Sequence, residues 1–345
     1  MRIERYLRMK ELAMHILAFL SSPRRHLLAL SMAIAAMAAP AITAAQSPFP
    51  NRPITLVVPF GPSGETDIFA RALSSDLGEV LGQPIVVVNR AGATGIVGTE
   101  AVARSKPDGY TLILGTASTH ALNVSTFKSL PYHPLKDFEP VALVGIVPVI
   151  LYAHPSMPGN PRDFIAKLKA NPRKFFYGAA GISTSYLGME LFMNEAKVSA
   201  SHVPYKGTGE AVQGLVGGQV QFMGASLGAG RELVKAGKLV AVAVISDRRL
   251  QVAPEIPTLH EATSLPLELS TWNVVMAPSG TPKDIVNRLN AALNEVLKKP
   301  AIQDRLAGYG ISPVSDSTPA STAKFVDSEI AKWRSAFKLS GAEAQ

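Results

Sequence analysis

Four short stretches of this 345-residue chain carry residue types that could grip or attack a small molecule. The first is Gly61-Pro62-Ser63-Gly64, a turn between the apolar run Ile54–Val58 and a helical stripe of Phe69, Leu73, Leu77 and Val80. A strand that feeds such a turn and then a helix leaves backbone N–H groups pointing outward, and the helix dipole favours an anion there. An ordinary strand-to-helix connection has the same local features, so the turn alone does not make a site. The second stretch holds Thr116, Ser118 and Thr119, just beyond a strand read over residues 110–114. Hydroxyls at the carboxyl end of a strand can donate to a ligand, but they also close turns on their own backbone. The third, GAAGISTS, repeats the first design around Gly181, Ile182, Ser183, Thr184 and Ser185. The fourth, Gly224-Ala225-Ser226-Leu227-Gly228, matches the G-x-S-x-G nucleophile elbow of serine hydrolases.

A hydrolase needs Ser, then an acid, then His. His260 is the sole histidine after Ser226, with Asp247 and Glu255 between them, and it lies close behind in the Pro-bounded loop PEIPTLHEA. Such a triad normally spreads over several βα units, so a Gly/Ser/Ala-rich turn is the better reading of Ser226. The remaining histidines, His15, His26, His120, His133, His154 and His202, form no H-x-x-x-H pair, and no metal is expected. Gly92, Gly95 and Gly98 are spaced G-x-x-G-x-x-G, which is not the dinucleotide fingerprint, and no Walker A motif occurs. Without cysteine, thiol and thiolate-metal chemistry is excluded. No cofactor is called for.

The elements that must position these residues alternate between short apolar strands and amphipathic helices, which gives an α/β class. Strands are expected at Ile54–Val58, Ile85–Asn89, 110–114, 141–146, 149–153, 175–178, 202–205, 220–223, 239–245 and 272–277. Pro148 interrupts the middle pair. Thr281 and Asp284 resemble a capping box with Pro282 at the first helical position. The following helix carries Ile285, Leu289, Leu293 and Val296, and a last helix holds Phe325, Ile330 and Trp333. Two similar turns, early and mid-chain, suggest two α/β lobes that clamp a ligand between them.

A hydrophobic content of 47% with 17% charged residues describes a globular chain with an ample core. The net charge of +8 includes an excess from Arg2, Arg5, Arg8, Lys10, Arg24 and Arg25 over Glu4 and Glu11. The rest is mildly basic without a dense cluster, which argues against nucleic acid as a partner. Arg24, Arg25 and His26 precede an apolar run over residues 27–39 and then PAITAAQ, the pattern of a secretory signal. Cleavage after Ala45 sets Thr43 and Ala45 at the small-residue positions. The apolar run is short against the roughly 20 residues of a membrane span, so a cleaved leader over residues 1–45 is expected in place of an anchor. The mature chain should be exported and soluble.

Taken in order, the segments RPITLVVPFGPSGETDIFARAL, GQPIVVVNRAGATGIVGTEAVARSKPDGYTLILG, LPYHPLKDFEPVALVG, HVPYKGTGEAVQGLVGGQV, AGKLVAVAV, IPTLHEA and APSGTP resemble the extracytoplasmic solute receptors of tripartite tricarboxylate transporters, the Bug family. The resemblance implies a periplasmic binding-protein fold. Lobe one would span residues 46–147 and 271–345 and lobe two residues 148–270, with a cleft between them. It implies a monomer that captures a small organic carboxylate by closing, and delivers it to membrane permease subunits. The site it implies comprises Phe60, Gly61, Pro62, Ser63, Gly64, Thr66 and Asp67 on one side, with Thr116, Ser118 and Thr119. Gly181, Ile182, Ser183, Thr184, Tyr205, Ala225 and Ser226 complete it. For Tyr205 the residues leave a core role open. Where the family often has an acid or Asn facing the ligand, this chain has Gly224-Ala225-Ser226, which removes a partner for an ammonium group. An apolar or aromatic carboxylate, walled by Ile182 and Tyr186, is the expectation. A secreted hydrolase using Ser226 and a receptor acting in signalling are the alternatives.

Overall fold

The computed structural model describes residues 8–15, 49–62 and 64–344. Residues 8–15 form an exposed helix within a unit separate from the body that begins at Phe49. Most of the predicted leader, and Ser63, lie outside the described residues. Among the described residues no helix is long and apolar enough to cross a membrane.

The body begins β1 (Ile54–Val58), α1 (Glu65–Leu81), β2 (Ile85–Asn89), α2 (Ile96–Ala103), β3 (Thr111–Thr116) and β4 (Phe138–Pro148). It continues β5 (Ile150–Ala153), α3 (Pro161–Ala170), β6 (Phe176–Ala180), α4 (Thr184–Ala196), β7 (Ser201–Tyr205) and α5 (Thr208–Val216). Then come β8 (Phe222–Ala225), α6 (Leu227–Lys235), β9 (Val240–Val244), β10 (Ser270–Pro278), α7 (Lys283–Lys298), α8 (Pro300–Gly308), β11 (Ser312–Pro313) and α9 (Pro319–Ser340). The strands form two mixed sheets, ordered β11-β4-β10-β3-β1-β2 and β7-β6-β8-β5-β9. In the first, β1 pairs in parallel with β2 and β3, and β10 runs antiparallel to β3 and β4.

Strand alternation explains why so many strands read as continuous apolar runs. Ile54, Leu56 and Val58 face one core, with Phe69, Leu73 and Leu77 of α1, whereas Val57 faces a second core on the other side. The other sheet divides in the same way, with Leu151 and Ala153 in one core and Ile150 and Tyr152 in another. The chain passes between the sheets twice, at Val149 and at Leu269. These passages hydrogen-bond to one another: Val149 N–H donates to the Leu269 carbonyl at 2.9 Å, and Leu269 and Val149 share Ile245 as their common partner at 2.9 and 2.8 Å.

Several boundaries differ from expectation. Pro148 closes β4 and Val149 makes the break, because Pro ends a ladder it cannot donate to. Strand β3 runs on to include Thr116, held by pairing with Asn273 of β10. Helix α6 starts directly after Ser226, where a longer turn was expected. The capping box at Thr281 does not form: its hydroxyl donates to the Pro278 carbonyl at 2.7 Å, and Pro282 precedes the helix without being its first residue. A capping box does start α9, between Thr318 and Ser321.

Two buried polar groups make the fold sensitive to change. At the head of β10, the indole N–H groups of Trp272 and Trp333 both donate to Glu329 Oε2, at 2.7 and 3.0 Å, and Lys332 Nζ holds Oε1 at 3.1 Å. Glu329→Ala leaves two buried donors without an acceptor and should cost about 2–5 kcal/mol. The check is a fall in urea midpoint at unchanged slope, with Glu329→Gln losing less. His120 is fully buried against Phe138 and Tyr132, and its ring fills the space a side chain at Gly115 would need. Burial lowers its pKa from 6.5 to about 3. The unfolded chain therefore takes up a proton that the folded one refuses, and stability present above pH 6.5 is lost as pH falls toward 3. The expected slope from this group is about 1.4 kcal/mol per pH unit, seen as a shallower acid limb in His120→Gln than in the parent chain. Equal slopes for the two proteins contradict it.

Candidate functional site

The turn after β1 is shaped by an Asp–Arg–Asn cluster. Asp67, in the first turn of α1, has a buried carboxylate that accepts from Arg71 Nε at 3.0 and 3.1 Å and from Asn89 Nδ2 at 2.9 Å. Asn89 Nδ2 also donates to the Phe60 carbonyl at 3.1 Å, and Arg71 Nη2 reaches Asn89 Oδ1 at 3.1 Å. The ion pair raises the Arg71 pKa, its hydrogen bonds to Asp67 first and the attraction of that charge second. Asp67 therefore holds the turn, and Asn89, which the sequence reading passed over, ties it to β2. The polar end of the apolar strand IVVVN was the available signal.

Glycine spacing packs the next connection against that turn. A side chain at Gly98 would come within 2.6 Å of the Arg90 carbonyl and 2.9 Å of Pro59 Cα, so α2 can approach this backbone only without one. At Gly95, φ is +86°, and a Cβ would meet Thr119 and Phe60 at 2.6 and 3.3 Å. The G-x-x-G-x-x-G run thus brings the second predicted stretch beside the first.

Within that stretch the three hydroxyls part company. Thr119 is fully buried; its Oγ1 accepts from Thr116 N–H at 3.0 Å and lies 2.9 Å from His120 Nδ1. Its backbone carbonyl accepts from Tyr132 at 2.7 Å. Thr119 thus closes a turn in the core through these bonds. Thr116 is buried at the strand end and Ser118 is half-buried.

On the other sheet, Ser183 caps α4 by accepting from Tyr186 N–H at 3.3 Å and lies 2.9 Å from the Ser185 hydroxyl. Gly181, Ile182 and Thr184 make the turn with it, and Gly181 has a positive φ of 26°. Tyr186 turns its ring onto His202, 4.6 Å between centroids, and its hydroxyl meets Ser340 of α9. Tyr205 is half-buried. Its hydroxyl donates to Gln219 at 3.3 Å and its ring fills the room beside Gly214 and Gly178, so it packs between the sheet and α5.

Glu65 opens α1, whose preceding Gly64 gives no side-chain cap, and Ser226 lies beside its carboxyl. Ser226 is the residue before α6 and gives that helix no side-chain cap either. Burial pushes the Glu65 carboxyl up from 4.5, with Ser226 pulling partly back, although the residue as a whole keeps some exposure. Phe60 and Gly61 are half-buried and Pro62 and Gly64 exposed along this edge, while Thr66 is buried beneath it and Ala225 ends β8 behind Ser226. His260 lies on a short helix with Nδ1 3.3 Å from the Leu265 carbonyl.

A separate groove of about 620 Å³ lies along the passage between sheets, beside Ile245, Arg248, Leu269 and Ile311. None of the predicted site residues lines it. Among the described residues no group of three His, Asp or Glu could hold a metal ion.

Residues 69–341 match the family model described as tripartite tricarboxylate transporter family receptor. The chain is 40% identical over 299 residues to Protein BugT of Bordetella pertussis, covering 86% of this chain and 91% of that one. Among solved structures it is similar to the periplasmic binding protein BugD, at 34% identity and TM-score 0.73 over 86% of this chain and 100% of that one. It is also similar to Rpa4515 of R. palustris with adipate, at 34% identity and TM-score 0.76, covering 86% and 100%. MatC of Rhodopseudomonas palustris with bound malate is 36% identical, at TM-score 0.70, covering 84% and 99%. These proteins bind solutes and are not enzymes, which overturns the hydrolase alternative for Ser226. The chain belongs to the tripartite tricarboxylate transporter family of receptors, periplasmic solute-binding proteins with two α/β lobes and a cleft between them.

Proposed function

We propose that this receptor captures a small organic carboxylate by closing its lobes on it, and hands the closed complex to the membrane subunits of a tripartite transporter. The observation that carries this reading is the pair of strand-to-helix turns, β1 to α1 in one sheet and β6 to α4 in the other, each ending at a helix N-terminus. N–H groups and dipoles aimed from both sides favour an anion, and a dry cleft strengthens those bonds. The adipate and malate held by two relatives are of that chemistry. In this reading the lobes are residues 46–147 with 271–345, and residues 148–270, and they move about the passages at Val149 and Leu269. The turn from Phe60 to Gly64, Thr66, Thr116, Ser118, Gly181, Ile182, Ser183, Thr184, Ala225 and Ser226 form the pocket, with Asp67 and Asn89 behind it. The chain acts as a monomer, exported by a cleaved leader, and needs no cofactor.

A thermal-shift panel of mono-, di- and tricarboxylates tests the reading. A true ligand at 100 times its Kd should add about 2.7 kcal/mol of stability. Asn89→Ala, which loosens the turn without entering the pocket, should keep the fold and lose most of that increment. Small-angle scattering should record compaction with the same ligand. A panel in which no carboxylate stabilises the protein sinks the proposal.

A further inference from the structure

On the face of the first sheet that packs under α1, β3 carries Leu112 and Leu114 and β10 carries Val275 and Ala277, all in one apolar core. Strand alternation puts Thr116 and Asn273 next on that face, and the two are cross-strand neighbours. Both strands thus turn polar at the same row, the last before the passages between the sheets. Counting on from the Val57–Ile113 pair, Phe60 stands level with Thr116 on one flank. On the other flank Asn273 pairs with Gly145 of β4, and the room for a side chain there is filled by Phe69 of α1 and by Ile311, at 2.9 and 3.0 Å. Thr66 and Glu65 precede Phe69 on the same helix face, so the Asn273 amide lies on the floor beneath the first turn of α1. Asn273 is 1% exposed, yet its Oδ1 has no hydrogen-bond partner among the described residues. Buried polar atoms are nearly always paired, and one left over is destabilising where an apolar group of the same shape is not. A leucine at this position would simply extend the row of Val275 and Ala277, so packing does not account for the amide. Beside it, the Thr116 hydroxyl accepts only a long contact from Thr119 N–H, at 3.5 Å.

We propose that Asn273 is a specificity-determining residue: with Thr116 it receives a hydroxyl group carried beside the solute's carboxylate, so the receptor prefers hydroxy acids to the same acids without the hydroxyl. The inference rests on the carboxylate-receptor reading and narrows it. The turn after β1 and the N-terminus of α1 take the carboxylate, and the floor reads the neighbouring substituent. An ionised carboxylate alone has no proton to give Oδ1, and an ammonium group donates without accepting. A hydroxyl does both, so it satisfies the amide in either of its two orientations and leaves an acceptor for Thr116.

The test uses pairs of acids that differ by one hydroxyl: lactate and propanoate, malate and succinate, citrate and propane-1,2,3-tricarboxylate, with both enantiomers of the chiral acids. Calorimetric Kd values are compared for the parent chain, Asn273→Leu and Asn273→Ala, alongside their thermal melts. In the parent chain the hydroxylated member of at least one pair should bind at least tenfold tighter. Asn273→Leu should melt no lower than the parent, because it removes an unpaired buried acceptor, and both substitutions should cut the preference to less than threefold, mainly by weakening the hydroxy acid. Carboxylates that bind the parent without any hydroxyl preference overturn the inference and leave the receptor reading standing. A preference that survives both substitutions overturns it too, as does a large fall in melting temperature for both variants, since the amide would then serve the fold. If no carboxylate binds the folded parent chain, the receptor reading fails and this inference goes with it.

Discussion

The geometry of the cleft depends on a buried carboxylate that never needs to touch ligand. Asp67 joins Arg71 on its own helix to Asn89 on the neighbouring strand, and Asn89 in turn fixes the Phe60 carbonyl. Arg71 is half-exposed, so the strength of its charge pair is reduced by solvent. The geometric effect is not. Asn89 and Asp67 thereby tie the Phe60 carbonyl and the first turn of α1 to the end of β2.

The second constraint is that each sheet is packed on both faces. The strands of the first sheet alternate between two cores, so neither face is available for a ligand. Binding is left to the strand ends and the turns that follow them, as in other open α/β sheets. The third constraint is the pair of passages at Val149 and Leu269. They pair with one another directly and through Ile245, so the two sheets are joined by a short hydrogen-bonded ribbon.

Much of the architecture was legible in the chain. Period-two and period-3.6 patterns located nearly every strand and helix, because packing on two faces writes itself as apolar runs. The Ser183 cap and the Gly-containing turns were visible for similar local reasons. What the sequence withheld was tertiary. Thr119 and Ser118 are both small hydroxyl residues one position apart, and only the placement of Tyr132 and His120 decides that Thr119 belongs to the core. For Tyr205 the sequence leaves a cleft and a core role open, and the room its ring fills beside Gly178 and Gly214 is not written locally. The placement of Glu65 beside Ser226 joins residues far apart in the chain, and no local pattern encodes that.

The tryptophans at the head of β10 have a spectroscopic consequence. The chain contains two, and both are buried and donate to the one carboxylate of Glu329, beside the passage at Leu269. Both indoles are closed off from solvent and share one acceptor, so tryptophan emission from this protein reports a single buried environment next to the passage at Leu269.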